Sequence, residues 1–333
     1  MKRIRVSVII SMLLAAMALA AVQVSAAEPV RLVLQWEHQS QFAGYYMALE
    51  KGFYRQENLD LAILPGGAHV DPVETVRNGR AEFCTTMLAP VLSSYDRRRD
   101  NELVLLQQIL NRSNLTLVAW KKGRHGSEPI ASPGDLNYKW ITLWERFRPP
   151  YQAFFKKFDI TPIILPQYYT FSLFLRRGAD ACCAMRYNEY HSLKQYGLRD
   201  EELTVFDFHD LGIDLPEDGL FALKKTWLSR PQTCAAFVRA TMKGWQYARD
   251  HREETLNVVM RYVDGSRLSI NRPHMAWMLD VILESIFPAR ESDWVTGQLT
   301  EERYNRAVSI LGLGSAAPAY NDFVTVGAQR GLH

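Results

Sequence analysis

Apolar positions recur in short, regular runs through most of this chain, and the runs change character once. Val30, Leu32 and Leu34 fall at every second position and lead to Trp36, as in a half-buried strand. A cluster of Gln39, Gln41, Phe42 and Tyr45 follows and opens a helix that runs to about Glu50, where Gly52 ends it. The same reading places ten strands: 31–36, 59–64, 81–85, 103–109, 115–120, 140–143, 163–165, 179–184, 203–206 and 219–223. Helical segments fall between several of them. Pro72, Pro149 and Pro150 sit where helices start, since the first turn needs no N–H there. Alternation of this kind argues for an α/β fold. From Arg230 onward the chain reads as mostly helical, with Cys234, Phe237, Val238, Thr241, Trp245 and Ala248 on one face at spacings of three and four. That stripe is core packing and carries no ligand assignment.

In open α/β sheets, ligands bind beyond the carboxyl ends of the strands. Several strand ends here carry suitable groups. Trp36, the Gln39 and Gln41 amides, Phe42 and Tyr45 follow the first strand and can floor a site for a flat, polar small molecule, or the aromatic rings pack as core. Thr86 and Met87 end the third strand and offer a polar rim. Trp144 and Glu145 end the strand over 140–143, where Trp144 can stack on a ring and Glu145 or Arg146 can select a charged group or form an ion pair bridging two lobes. Tyr187, Asn188 and Glu189 follow the strand over 179–184 and open a helix. Asn188 there is a candidate N-cap. Glu189 can accept a pair of N–H groups from an aminopyrimidine, or answer the helix dipole. Asp218 precedes the last strand, at a hinge, a pocket or an ordinary Asp-Gly turn. Tyr168 and Tyr169, after Pro166, are further pocket candidates.

Three ordered motifs carry a resemblance. The first is the Trp36 strand end with Phe42-Ala43-Gly44-Tyr45-Tyr46, Glu50-Lys51-Gly52-Phe53-Tyr54 and Leu59-Asp60. The second is Tyr187-Asn188-Glu189-Tyr190, and the third is Pro216-Glu217-Asp218-Gly219-Leu220-Phe221. Over about residues 30 to 310 the chain resembles periplasmic solute-binding proteins of the sulfonate, taurine and thiamine-pyrimidine-precursor group, within the thiamine pyrimidine synthase-like superfamily. The resemblance implies a type II periplasmic-binding-protein fold, with two lobes around a ligand cleft and a hinge of crossover strands. It implies lobe 1 from residues 27–117 plus 215–333, and lobe 2 from 118–214. It also implies that Glu189 faces the cleft.

Charge and the amino terminus set the compartment. Lys2, Arg3 and Arg5 precede an apolar run to Ala21, and Val24-Ser25-Ala26 is a small-residue cleavage site, so residues 1–26 read as a cleaved secretory signal peptide. The formal charge of +3 belongs to that segment, and the remainder balances 36 basic against 36 acidic residues. A nucleic-acid partner therefore has no electrostatic support. Of the four cysteines, Cys182 and Cys183 are adjacent in an apolar setting and read as buried thiols, pointing to opposite faces of a strand. No C-x-x-C or H-E-x-x-H spacing is present, so no metal site and no cofactor are expected.

The leading reading is thus a periplasmic monomer that captures a small heteroaromatic solute and delivers it to an inner-membrane ABC permease. The resemblance makes a thiamine pyrimidine precursor the first ligand to consider, with a sulfonate or taurine-like solute, or a sensor role for a membrane receptor, as alternatives. The superfamily's pyrimidine synthase is disfavoured. Thr86 and Pro90 stand where it carries its cofactor lysine and substrate histidine, and Glu217-Asp218-Gly219 stands in place of its cysteine-rich motif.

Overall fold

Each of the ten apolar runs forms a strand in the computed structural model, which describes residues 26–96, 102–124, 128–264, 271–289 and 295–325. The expected signal peptide, apart from Ala26, lies outside the described residues. The strands are β1 (Glu28–Val33), β2 (Leu59–Leu64), β3 (Phe83–Met87), β4 (Leu103–Gln108), β5 (Leu115–Trp120), β6 (Trp140–Leu143), β7 (Ile163–Pro166), β8 (Ala181–Met185), β9 (Leu203–Asp207) and β10 (Asp218–Leu223). They build two five-stranded sheets, ordered β2-β1-β3-β10-β4 and β7-β6-β8-β5-β9. In the first, β1 runs parallel to β2 and β3, and β10 returns antiparallel between β3 and β4. In the second, β6 runs parallel to β7 and β8, and β5 runs antiparallel to β8 and β9.

The chain crosses between the sheets twice, between Gln108 and Leu115 and between Asp207 and Asp218. β5 pairs wholly with the second sheet, so the first crossing precedes Leu115 rather than following Leu117. A buried carboxylate ties the two crossings together. Glu217 accepts from the backbone N–H of Asn114 at 2.6 Å and of Leu115 at 3.0 Å, and from the Ser113 hydroxyl at 3.1 Å. Asp214 does the same beside it, accepting from Ser113 N–H and from the buried Arg303 guanidinium, both at 2.9 Å.

Five helices position the site: α1 (Ala43–Glu50), α2 (Arg148–Lys157), α3 (Glu189–Gln195), α4 (Pro231–Asp250) and α5 (Arg272–Ile286). The stripe predicted on α4 is buried throughout and packs on α1. The helices cross where Gly44 meets Gly244. A Cβ on Gly244 would sit 2.1 Å from the Gly44 carbonyl oxygen, and one on Gly44 would sit 2.2 Å from the Trp245 ring. Pro149 and Pro150 open α2 as their positions required, and Asp71 caps the helix begun by Pro72 through Val73 and Glu74 N–H.

The vicinal cysteines divide as the pleat demands. Cys183 joins the main core, which runs through both lobes, while Cys182 joins a smaller cluster with Val118, Trp120 and Phe174 on the other face of the second sheet. All four cysteines are buried free thiols, and burial pushes the thiol pKa of each upward. Among the described residues no helix is long and apolar enough to cross a membrane.

Candidate functional site

β1 ends at Val33, earlier than its apolar run, and this early exit makes the site. Leu34 N–H still bonds the Leu64 carbonyl, but Gln35 N–H turns to the Thr85 hydroxyl at 2.8 Å. Gly66 then presses against the turn, where any Cβ would lie 2.1 Å from the Leu34 carbonyl. Gln35 and Trp36 are thereby lifted out of the sheet into a cleft between the lobes, at the carboxyl ends of β1, β3, β6 and β8. The cavity holds about 510 Å³.

Aromatic rings from both lobes gather at one side. Trp36 of the first lobe meets Trp144 edge-on at 5.6 Å and Tyr169 at 5.4 Å, and Trp144 meets Tyr169 at 5.8 Å. The Trp144 backbone is held from behind, its main-chain N–H donating to the Cys183 sulfur 3.3 Å away. Arg146 crosses the cleft and donates to the carbonyls of Gln35 at 3.1 Å and Val70 at 3.3 Å. Its contact joins the lobes through backbone oxygens, where the sequence had suggested an ion pair.

Glu189 opens α3 and lines the cavity. Its Oε2 accepts from Met185 N–H at 2.8 Å and its Oε1 from the Asn188 amide at 3.1 Å. Burial raises its pKa above the ordinary glutamate value, with the Met185 N–H pulling the other way. Each oxygen keeps lone-pair capacity for a further donor. Asn188 occupies the N-cap position, but its side chain makes no capping bond. It is recruited instead into an interlobe chain. Because its amide nitrogen donates to Glu189, its oxygen must accept from His274 Nε2, 2.9 Å away on α5. His274 Nδ1 is then left as the acceptor for His191 Nδ1–H at 2.8 Å. His191 also stacks on Trp277 at 4.9 Å.

This pair makes the lobe contact acid-sensitive. Burial and the neighbouring His191 bring the His274 pKa down to about 4, below the ordinary histidine value, and burial lowers His191 too. A histidine held neutral in the fold contributes stability above its unfolded pKa of about 6.5, which is lost as pH falls through its folded value. Between about pH 7 and pH 5 the melting temperature of the wild type is expected to drop relative to that of His274→Gln, because only the wild type loses the His274 contribution. Thermal unfolding across that range, followed by circular dichroism, checks this. Parallel slopes for the two proteins would remove His274 as the cause.

Of the residues singled out from sequence, the cleft gathers Trp36, Gln41, Met87, Trp144, Glu145, Tyr187, Asn188 and Glu189. Glu145 is exposed and its carboxylate is occupied by Arg148, with both bonds at 2.6 Å. Four others need correction. Phe42 and Tyr45 are buried in the core, with Tyr45 edge-on to Trp245 at 6.1 Å, because α1 is covered on nearly every side. Thr86 is buried within β3, paired with Gly219 of β10. Asp218 lies behind the wall, where its Oδ2 accepts from Gln41 Nε2 at 2.6 Å. Burial pushes its pKa up to about 6, against the bonds from the Gln41 and Gln35 amides.

The cleft also contains residues the sequence did not assign to it. Gln35, Arg148 and Gln167 line it, alongside Gln39 and Tyr168, which the sequence did offer as candidates. Gln167 follows β7 directly and could have been found by the strand-end rule. It is fixed by the Thr142 hydroxyl at 2.8 Å and the Cys183 carbonyl at 2.9 Å. Nothing in the local sequence could place His274 beside Asn188.

Residues 39–255 match the protein family described as NMT1/THI5 like. The chain belongs to the NMT1/THI5 like family. The formylaminopyrimidine-binding protein of Halalkalibacterium halodurans is 23% identical over 292 residues, covering 84% of this chain and 86% of that protein. Two solved structures illustrate the fold. The ligand-binding component of an ABC-type import system from Staphylococcus aureus superposes with a TM-score of 0.65 at 11% identity, covering 91% of this chain and 98% of that one. The periplasmic aliphatic sulphonate binding protein from Escherichia coli gives 0.62 at 15% identity and 86% coverage of each. A desulfurization enzyme also shares the fold, with a TM-score of 0.54 at 12% identity, covering 90% of this chain and 96% of that one. The fold is therefore that of periplasmic binding proteins, as the resemblance implied, and does not by itself separate binding from catalysis.

Proposed function

We propose that this protein is the exported, periplasmic solute-binding component of an ABC importer, and that its solute is a small aminopyrimidine of the kind named for its Halalkalibacterium relative. The observation that carries the reading is the pairing of two interlobe aromatic rings, Trp36 and Trp144, backed by Tyr169, with the Glu189 carboxylate in one cavity. Rings supply burial for a flat heterocycle, and a carboxylate with open lone pairs supplies direction for its amino group. Closure of two lobes about a hinge shares the contacts between them. The protein acts as a monomer that meets the permease when closed.

Binding rather than chemistry suits the side chains present. The cysteines are buried with raised pKa values, and the cleft carboxylates Glu145 and Glu189 are engaged by protein donors. Nor does the cleft suit an anion. Arg146 is engaged with two carbonyls and Arg148 with Glu145, so a sulfonate would have to displace existing bonds.

A thermal-shift screen of residues 27–333, confirmed by calorimetry, tests this with aminopyrimidine thiamine precursors, thiamine, taurine, alkyl sulfonates, riboflavin and purines. A ligand at 100 times its dissociation constant stabilises by about 2.7 kcal/mol. Stabilisation by aminopyrimidines is expected. Stabilisation by sulfonates alone would overturn the ligand, and silence across the panel would overturn the assignment to this solute class.

A further inference from the structure

From the cleft wall inward to Asp218, three polar side chains form a chain whose direction is fixed at one end. Asp218 is buried, and as a carboxylate it can only accept. Gln41 must therefore turn its Nε2 toward Asp218 Oδ2, 2.6 Å away. That leaves Gln41 Oε1 as an acceptor, and Gln39 Nε2 donates to it at 2.5 Å. Gln39 lines the cleft, so its own Oε1 is left as an acceptor on the ligand side. An isolated glutamine amide can present either end to a ligand, but this one has had its orientation chosen for it.

We infer that Asp218 is a positioning residue, which acts through Gln41 to hold Gln39 with its carbonyl toward the ligand and so makes the cleft selective for solutes that offer an N–H group at that edge. The inference rests on the proposed small-heterocycle reading and adds a rule to it. Gln39 and Glu189 then both present acceptors, and a ring bearing an oxo group where an amino group should be meets oxygen with oxygen. A buried site built to accept a hydrogen bond rejects an analogue that cannot donate it far more strongly than size alone would allow.

Asp218 serves this role at some cost to the fold. Its Oδ1 is buried with no hydrogen-bond partner among the described residues. An asparagine in its place would relieve that buried charge and could present either an oxygen or a nitrogen to Gln41, so the direction of the chain would no longer be imposed. The substitution is thus expected to leave the fold standing and to blur discrimination.

The test compares wild type, Asp218→Asn and Gln41→Met by calorimetry at about pH 8, where a carboxyl raised to about 6 is ionised. The probes are a 4-aminopyrimidine thiamine precursor and its 4-oxo counterpart. Wild type is expected to prefer the amino compound by about tenfold or more. Both variants should bring that preference to within about threefold, Asp218→Asn with a melting temperature near wild type and Gln41→Met with a lowered one, since it leaves the Asp218 carboxylate without its partner. A variant that loses affinity for both probes equally, keeping the wild-type ratio, would show a merely structural role and overturn the inference. So would a wild type that binds both probes alike. If Asp218→Asn does not fold, Gln41→Met, which keeps the volume and breaks the chain, decides the matter. A wild type that binds neither probe would fail the small-heterocycle reading itself, a result distinct from a failure of the relay.

Discussion

Glu189→Gln weakens capture of an aminopyrimidine by more than about tenfold, at least ~1.4 kcal/mol, while the protein keeps its fold. The loss has two sources. A carboxylate accepts from an amino group as a charge-assisted bond, about twice the strength of a neutral one. The amide also puts a donor where the ligand's donor must go. The fold survives because the bond Met185 N–H makes to Glu189 can be kept by the remaining carbonyl, and only the contact with the Asn188 amide is left without an acceptor. Calorimetry gives the affinity and circular dichroism the melting temperature. An unchanged dissociation constant would take Glu189 out of the site.

Gly244→Ala is expected to destabilise the protein by about 3 kcal/mol, against the direction that helix propensity gives. In the interior of a helix, alanine for glycine ordinarily gains up to about 1 kcal/mol. Here the new methyl would lie 2.1 Å from the Gly44 carbonyl and 2.6 Å from the Ala48 Cβ. Its neighbours are backbone and a short side chain, neither of which can swing aside. The only relief is to part α1 from α4, which would open the core of the first lobe. Denaturant titration of the variant measures the change. A gain in stability would mean that the two helices do not meet at these glycines.

The strands were legible because each is a short apolar run between turn residues, and three of them, β2, β5 and β6, begin and end where the pattern placed them. The α4 stripe was legible for the same reason: one face is wet, so the buried face stands out. α1 shows where that reasoning stops. Ala43 to Ala48 are buried without exception, so periodicity could not tell which of Phe42, Tyr45 and the residues around them would face a ligand. Only the packing of α4 decides it, and α4 lies far downstream in the chain. Asp218 misled for a related reason. Its strand end does point at the cleft, but Gln41 stands between the carboxylate and the cavity. The interlobe bonds of Arg146 and His274 are products of how the lobes meet, which no local pattern encodes.

Cys182 and Cys183 are inert only after β8 has been enclosed by β5 and β6. Exported as proposed, the chain would meet oxidants before that enclosure exists. Whether these thiols survive is therefore a race between sheet assembly and thiol capture, run once per molecule. β8 gains its two neighbours from segments well before it in the chain, and such non-local pairing is the slow part of folding. Any substitution that delays the second sheet lengthens the exposure of both sulfurs. The yield of native protein in an oxidising compartment can then fall even where the finished fold is as stable as before.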